Sequence, residues 1–292
     1  MLLFNEDFIT TDRIGLFCKN DVEVYTLRTD KIHPVVSGNK WFKLKFYLQQ
    51  AKAQNAKTVV TFGGAYSNHI VATAFACKHQ GFQSIGIIRG EMPKNYSHTL
   101  KDAMACGMQL HFLSRQDYKG KNISASFHQP NYYLIPEGGY GPLGAAGMAT
   151  LQYDKNNFDA VCCSVGSGTM MAGLINSKAS YAQIIGISVL KNNYDLNMDV
   201  LRLMTNKNES VNINHDYHFG GYAKYTRALL GFMNSFYQHT GIPTDFVYSA
   251  KLFFAVNDLI DKKYFKKGSK ILIIHCGGLQ GNFSLPNGTL IF

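Results

Sequence analysis

Thr58-Val59-Val60-Thr61-Phe62-Gly63-Gly64-Ala65-Tyr66-Ser67-Asn68-His69 is the stretch on which the fold turns. The run 58–62 is β-branched and aromatic enough for a buried strand, the glycines permit a sharp turn, and Ser67 stands where a helix over 70–79 would be capped. Strand, glycine turn and helix in that order form the unit of a parallel sheet with crossover helices. Ala160–Val165 repeats the pattern, running into Gly166-Ser167-Gly168-Thr169 and a helix over 170–177. Further strands are expected at 22–28, 84–89, Gln109–Leu113, Tyr132–Ile135, 184–188 and 270–275, and the polar stretch 205–218 reads as a surface connection. The fold class is α/β, with parallel sheets covered by helices. Ligands of such sheets bind beyond the carboxyl ends of the strands, where the first amides of the next helix point outward.

The composition bounds the partners. A chain of 292 residues with 46% hydrophobic and 16% charged side chains buries a large core and is not a disordered polymer. Lys plus Arg number 29 against 19 for Asp plus Glu, a net charge of +10 that suits nucleic acid, a phosphorylated cofactor or a carboxylate substrate. The basic residues are dispersed, and the densest group, Lys262, Lys263, Lys266, Lys267 and Lys270, reads as a solvated helix end. Nucleic acid is therefore not expected. Met1-Leu2-Leu3-Phe4 runs directly into Asn5-Glu6-Asp7, and no apolar run approaches ~18 residues, so a cytoplasmic protein without a membrane partner is expected. Cys18, Cys77, Cys106, Cys162, Cys163 and Cys276 form no C-x-x-C pair, and with no His-rich spacing beside them they read as reduced thiols, with no metal.

Three motifs carry chemistry. Ser37-Gly38-Asn39-Lys40-Trp41 precedes a helix over 41–54, which puts Lys40 at the positive end of the helix dipole. A lysine disfavoured there as a cation is a candidate neutral nucleophile and Schiff-base former, although an exposed lysine in a polar turn fits the motif equally. Ser67, Asn68 and His69 offer donors at a helix start, as an ordinary capped helix also would. Gly166-Ser167-Gly168-Thr169 suits a single phosphate, and because Met171 stands where G-x-G-x-x-G requires its last glycine, the dinucleotide fingerprint fails. Phe219-Gly220-Gly221-Tyr222 and Val247-Tyr248-Ser249 each place a tyrosine near an expected helix start, available for stacking, proton handling or plain packing.

These segments, in this order, resemble the 1-aminocyclopropane-1-carboxylate (ACC) deaminase / D-cysteine desulfhydrase family of pyridoxal-phosphate enzymes, of the tryptophan-synthase-β-like fold (fold type II). The likeness rests on SGNKWFKLK, TFGGAYSNH, SIGIIRGE, IPEGG, SVGSGTMMAGL, FGGYAKY, FVYSAK and HCGGLQGN, spread over 28–282. It implies a two-domain architecture with the cofactor in the cleft, a small domain over 42–150 and a large one from 1–41 and 151–292. It implies that Lys40 is the lysine carrying pyridoxal 5'-phosphate, Asn68 lies beside the phenolic oxygen, Ser67 is an active-site serine, and Gly166, Ser167, Gly168 and Thr169 cradle the phosphate. Tyr222 and Tyr248 would flank the substrate, with Ser249 and Cys276 near the pyridine nitrogen. A homodimer is implied as well.

Two departures stand out. The family usually writes GNK-x-R-K-L, and this chain has Phe42 in place of the arginine. Ring-opening members typically carry Glu and Leu where this chain has Ser249 and Cys276, whereas desulfhydrases carry small hydroxyl residues at both. Ser249 follows the desulfhydrase pattern and Cys276 neither. A neutral partner for the pyridine nitrogen makes a weaker electron sink, which suffices for β-elimination sooner than for opening a cyclopropane. The expected activity is therefore α,β-elimination on a small amino acid, plausibly of D configuration, giving pyruvate and ammonia. The substrate carboxylate is expected at Ser67, Asn68 and His69. ACC deaminase is the alternative within enzymes, and a cofactor-binding protein of little turnover the alternative outside them.

Overall fold

The computed structural model describes residues 4–120, 124, 127 and 129–292. Two sheets organise it. The larger combines β1 (Thr11–Arg13), β2 (Glu23–Leu27), β7 (Ala160–Val165), β8 (Gln183–Ser188), β9 (Asn212–Asn214) and β10 (Lys270–Ile274), in the order β1-β2-β10-β7-β8-β9. The smaller holds β3 (Thr58–Gly64), β4 (Gln83–Arg89), β5 (Gln109–Leu113) and β6 (Tyr132–Ile135), in the order β5-β4-β3-β6. Every pairing is parallel except that of β1 with β2. β3 and β7 lie inside their sheets and are buried almost end to end, which is why their sequences are apolar rather than alternating.

The helices are α1 (Asn39–Ala53), α2 (Asn68–Gln80), α3 (His98–Ala105), α4 (Arg115–Gly120), α5 (Pro142–Ala149), α6 (Thr169–Ser177), α7 (Leu196–Leu203), α8 (Arg227–Thr240) and α9 (Ser249–Asp261). The expected strands are found with ends shifted by at most two residues, the largest shift being β3, which takes in Gly63 and Gly64 that had been expected in the turn. β1 and β9 were not expected, and β9 lies inside the polar stretch 205–218. Asn-Ile-Asn has little strand preference of its own and is held by pairing with Ile185–Ile187 of β8. Three helices begin one or two residues early. Gly38 (φ +61°) and Gly168 (φ +79°) reverse the chain in left-handed conformations and let α1 and α6 start on the next residue. Tyr222 does not begin a helix, because it sits in a turn ahead of α8.

α1 joins the two sheets. Its Phe42 is packed with Ala145, Met148 and Leu151 in the core of the larger sheet, while Leu44, Tyr47 and Leu48 enter the core of the smaller. Phe42, where the family resemblance led arginine to be expected, is thus a core residue. The helices can approach because small residues face one another: a Cβ on Gly147 would collide with the Phe42 carbonyl, and one on Gly173 with the Ala145 carbonyl and Met148. Among the described residues no helix is long and apolar enough to cross a membrane.

The α1–α5 contact makes a first prediction. Gly147→Val should cost about 1–3 kcal/mol or more by overpacking, read as a lower urea midpoint at unchanged slope. An unchanged midpoint would show that this approach carries no strain.

Candidate active site

The carboxyl ends of β3 and β7 open onto one cavity of about 710 Å³. Lys40, Ser67, Asn68, His69, Gly166, Ser167, Gly168, Tyr222 and Tyr248, from five separate stretches of chain, all line it. Thr169, Ser249 and Cys276 lie behind the wall, fully buried.

Lys40 is in the first turn of α1, where its Nζ donates to Asn39 Oδ1 at 2.7 Å and stands 5.7 Å from the Tyr248 ring centroid. Burial lowers its pKa below the ordinary lysine value, partly opposed by the nearby Cys276 and Asp245. Lys43, one turn further along α1, is also buried and lines the cavity. Burial and the charge of Lys40 push its pKa down to about 7, and among the described residues its ammonium has no hydrogen-bond or ion-pair partner. The two lysines share the i, i+3 spacing of one helix face, a signal legible in the sequence.

Ser67 is the N-cap of α2, yet its hydroxyl makes no capping bond and stays available to the cavity. The buried Asn68 gives its amide nitrogen to the Gly278 carbonyl at 3.3 Å and leaves Oδ1 without a partner among the described residues. Thr61 Oγ1 donates to the Ile135 carbonyl at 2.9 Å, so it accepts from His69 Nε2, also at 2.9 Å. His69 Nδ1 is then a bare acceptor. Burial, Lys43 and Lys40 push the His69 pKa down to about 3, so the ring is neutral and cannot serve as a cationic anchor for a carboxylate. The Ser67 hydroxyl and the first amides of α2 are the free donors at this turn.

At the opposite wall the Gly166–Thr169 turn opens α6. Ser167 Oγ and Thr169 Oγ1 lie 3.0 Å apart, and a Cβ on Gly168 would meet Val200 Cγ2 at 2.8 Å. Tyr222 and Tyr248 meet edge to face, with centroids 6.0 Å apart at 73°. Burial raises the Tyr248 phenol well above its ordinary pKa, so it remains a hydrogen-bond donor across the working pH range.

The sequence reading had missed Asp245. This carboxylate is fully buried at the head of α9, where Oδ2 accepts from the Val247 and Tyr248 amides (3.0 and 2.9 Å). Oδ1 accepts from the Ser249 amide (2.8 Å) and hydroxyl (2.7 Å). All of its lone-pair directions are occupied. Ser249 Oγ in turn accepts from the Asp245 amide at 2.7 Å. Cys276 Sγ lies 3.3 Å from Ser164 Oγ, and burial raises the thiol to about 11, leaving it protonated.

Comparison with known proteins matches this architecture. Residues 16–277 fit the family described as pyridoxal-phosphate dependent enzymes. A bifunctional D-cysteine desulfhydrase/1-aminocyclopropane-1-carboxylate deaminase of Arabidopsis thaliana is 31% identical over 90% of this chain and 74% of its own length. A D-cysteine desulfhydrase of Klebsiella pneumoniae is 27% identical over 90% and 88%. The crystal structure of an ACC deaminase homologue superposes with a TM-score of 0.78 at 27% identity, covering 94% of this chain and 90% of that one. The chain belongs to the pyridoxal-phosphate-dependent enzymes, in the fold type II architecture.

The residues present fit that cofactor. An unpartnered ammonium at Lys43, an amide oxygen without a donor at Asn68 and a glycine-built helix start at 166–169 are the groups a phosphorylated pyridine would satisfy.

Lys43 supplies the second prediction. It loses its proton at about 7 in the folded chain against 10.5 ordinarily, so the unfolded state binds more protons between those values. Cofactor-free protein should therefore gain stability as pH rises from 7 toward 10.5. Lys43→Met should flatten that rise in urea titrations, raise the midpoint at pH 7, and weaken pyridoxal-phosphate binding by about tenfold or more. Unchanged cofactor affinity would remove Lys43 from the phosphate site.

Proposed function

We propose that this enzyme is a lyase that performs α,β-elimination on a small amino acid bearing a leaving group on Cβ, with D-cysteine and β-substituted D-alanines as the best candidates. The products are pyruvate, ammonia and the released group. The observation that carries this reading is the pairing of Ser249 with Asp245. Asp245, the carboxylate bound to Ser249, has its acceptor positions filled by the head of α9, and Ser249 and Cys276 lie behind the cavity wall, so this wall presents no free carboxylate to the cofactor's ring. A glutamate at 249 would stand against Asp245 as a second buried carboxylate, which this packing disfavours.

The bound cofactor supplies an electron sink that acidifies the substrate's α-hydrogen. The rest follows from the chain's own groups. Lys40 would carry the cofactor in the resting enzyme, and its amine, whose charged form burial disfavours, would take the proton from Cα. Lys43 and the turn at Gly166, Ser167, Gly168 and Thr169 hold the phosphate, and Asn68 lies beside the ring. Ser67 and the first amides of α2 hold the substrate carboxylate. Tyr248, protonated, and Tyr222 flank the leaving group and can return a proton to it.

ACC ring opening is the second reading, favoured by the double name of the Arabidopsis relative. The two sheets support a small unit over 42–150 and a large unit from the remainder, and the family resemblance supports a cytoplasmic homodimer.

A panel of D- and L-cysteine, β-chloro-D-alanine and ACC separates the readings. Pyruvate from the D-substrates is expected, with Lys40→Ala colourless in the visible and inactive by at least about 10³-fold. 2-Oxobutanoate from ACC would favour the second reading, and a yellow but inert protein would refute both.

A further inference from the structure

Tyr222 reaches the cavity from a segment that belongs to no helix or strand and is bent throughout. Phe219 (φ +51°), Gly220 (+95°), Gly221 (+115°) and Ala223 (+52°) are all left-handed, two of them with side chains that disfavour it. Its internal bonds are few: the Gly221 amide donates to the His218 carbonyl at 3.0 Å, the Gly220 amide to His218 Nδ1 at 2.9 Å, and the Lys224 amide to the Gly221 carbonyl at 3.1 Å. Those two carbonyls converge on one side chain. Lys251 of α9 is fully buried, and its Nζ donates to the His218 and Gly221 oxygens, each at 2.8 Å. Lys251 is one turn into the helix that Tyr248 caps, so a single side chain couples the footings of both cleft tyrosines.

We propose that Lys251 is a positioning residue, a built-in cation whose ammonium gathers two backbone carbonyls and holds the Tyr222 turn over the substrate cleft. The cation suits the place because charge-assisted bonds are the strong ones, and two inward carbonyls offer it oxygen ligands without a paired carboxylate. Asp245, ahead of α9, favours the charge. Burial opposes it and brings the pKa down to about 8. The other charged or titratable groups around the tie are His218, Tyr222 and Lys224 on the held segment, His215 and Asp216 just ahead of it and Lys191 beyond β8. The proposal deepens the reading of the cleft as a substrate site, and its first readout is independent of catalysis.

That readout is amide hydrogen exchange over 218–224 in cofactor-free protein. In Lys251→Met, exchange there should quicken by about tenfold or more while peptides from α8 and β7 keep their rates. KM for the amino acid should rise more than kcat falls, Lys251→Arg should recover part of the loss, and added ammonium or methylammonium should slow the exchange again in Lys251→Ala. Unchanged exchange, or equal acceleration across the whole chain, would overturn the proposal, as would the lack of rescue by both arginine and ammonium. Should the variants not fold, the wild type carries the test. Exchange at 218–224, corrected for its intrinsic pH dependence, should accelerate relative to α8 as pH passes from 7 to 9, and a constant ratio would overturn the proposal. Slow exchange at 218–224 in a protein inert toward every amino acid would leave the tie standing and refute only the catalytic reading.

Discussion

Everything in the cleft depends on the contact between two turns that are far apart in sequence. The backbone at Gly38 lies so close to the Cys276 carbonyl that a Cβ would overlap it, and the Asn39 amide donates to that same oxygen at 3.4 Å. Ser37 Oγ accepts from the Gly278 amide at 3.3 Å, and the Gly278 carbonyl then accepts from Asn68. Three motifs are fastened together by backbone groups and two short polar side chains, and glycine is required at 38 and 277 because both are left-handed and crowded. α1 leaves this junction with its first turn pointed at the cavity, and so the junction aims Lys40.

The electrostatics follow from that placement. Two lysines on one face of α1 are withdrawn from water beside a neutral histidine, and each depresses the proton affinity of its neighbours. A bound anion would offset the cost, and the Lys43 ammonium lines the same cavity as the glycine-built helix start. Asp245 contributes negative charge from behind the wall but is held by α9, so it tunes Lys40 and stabilises the helix without entering the cleft. The chain thus separates the group that needs a charge nearby from the group that would neutralise it by contact.

Much of this was written in local sequence. The apolar runs of β3 and β7, the glycines after them and the capping residue at 67 fix their own conformations, and the ordered motifs named the cleft residues before any geometry was known. What escaped was what pairing and packing decide. β9 is Asn-Ile-Asn and becomes a strand only because β8 offers an edge. Lys43 resembles any lysine on an amphipathic helix until burial strips it of partners. Asp245 looks like a turn residue, and its four contacts arise from the path of the chain into α9. Ser249 and Cys276 are adjacent to the site but sit behind its surface, a difference of one side-chain layer that spacing along a strand or helix does not encode.

Borohydride reduction of the cofactor-loaded enzyme followed by peptide mapping tests the central claim most directly, because it freezes the covalent attachment where the fold has aimed it. The account predicts a phosphopyridoxyl group on Lys40 and an unmodified Lys43. A label on Lys43 or Lys251, with Lys40 free, would contradict it.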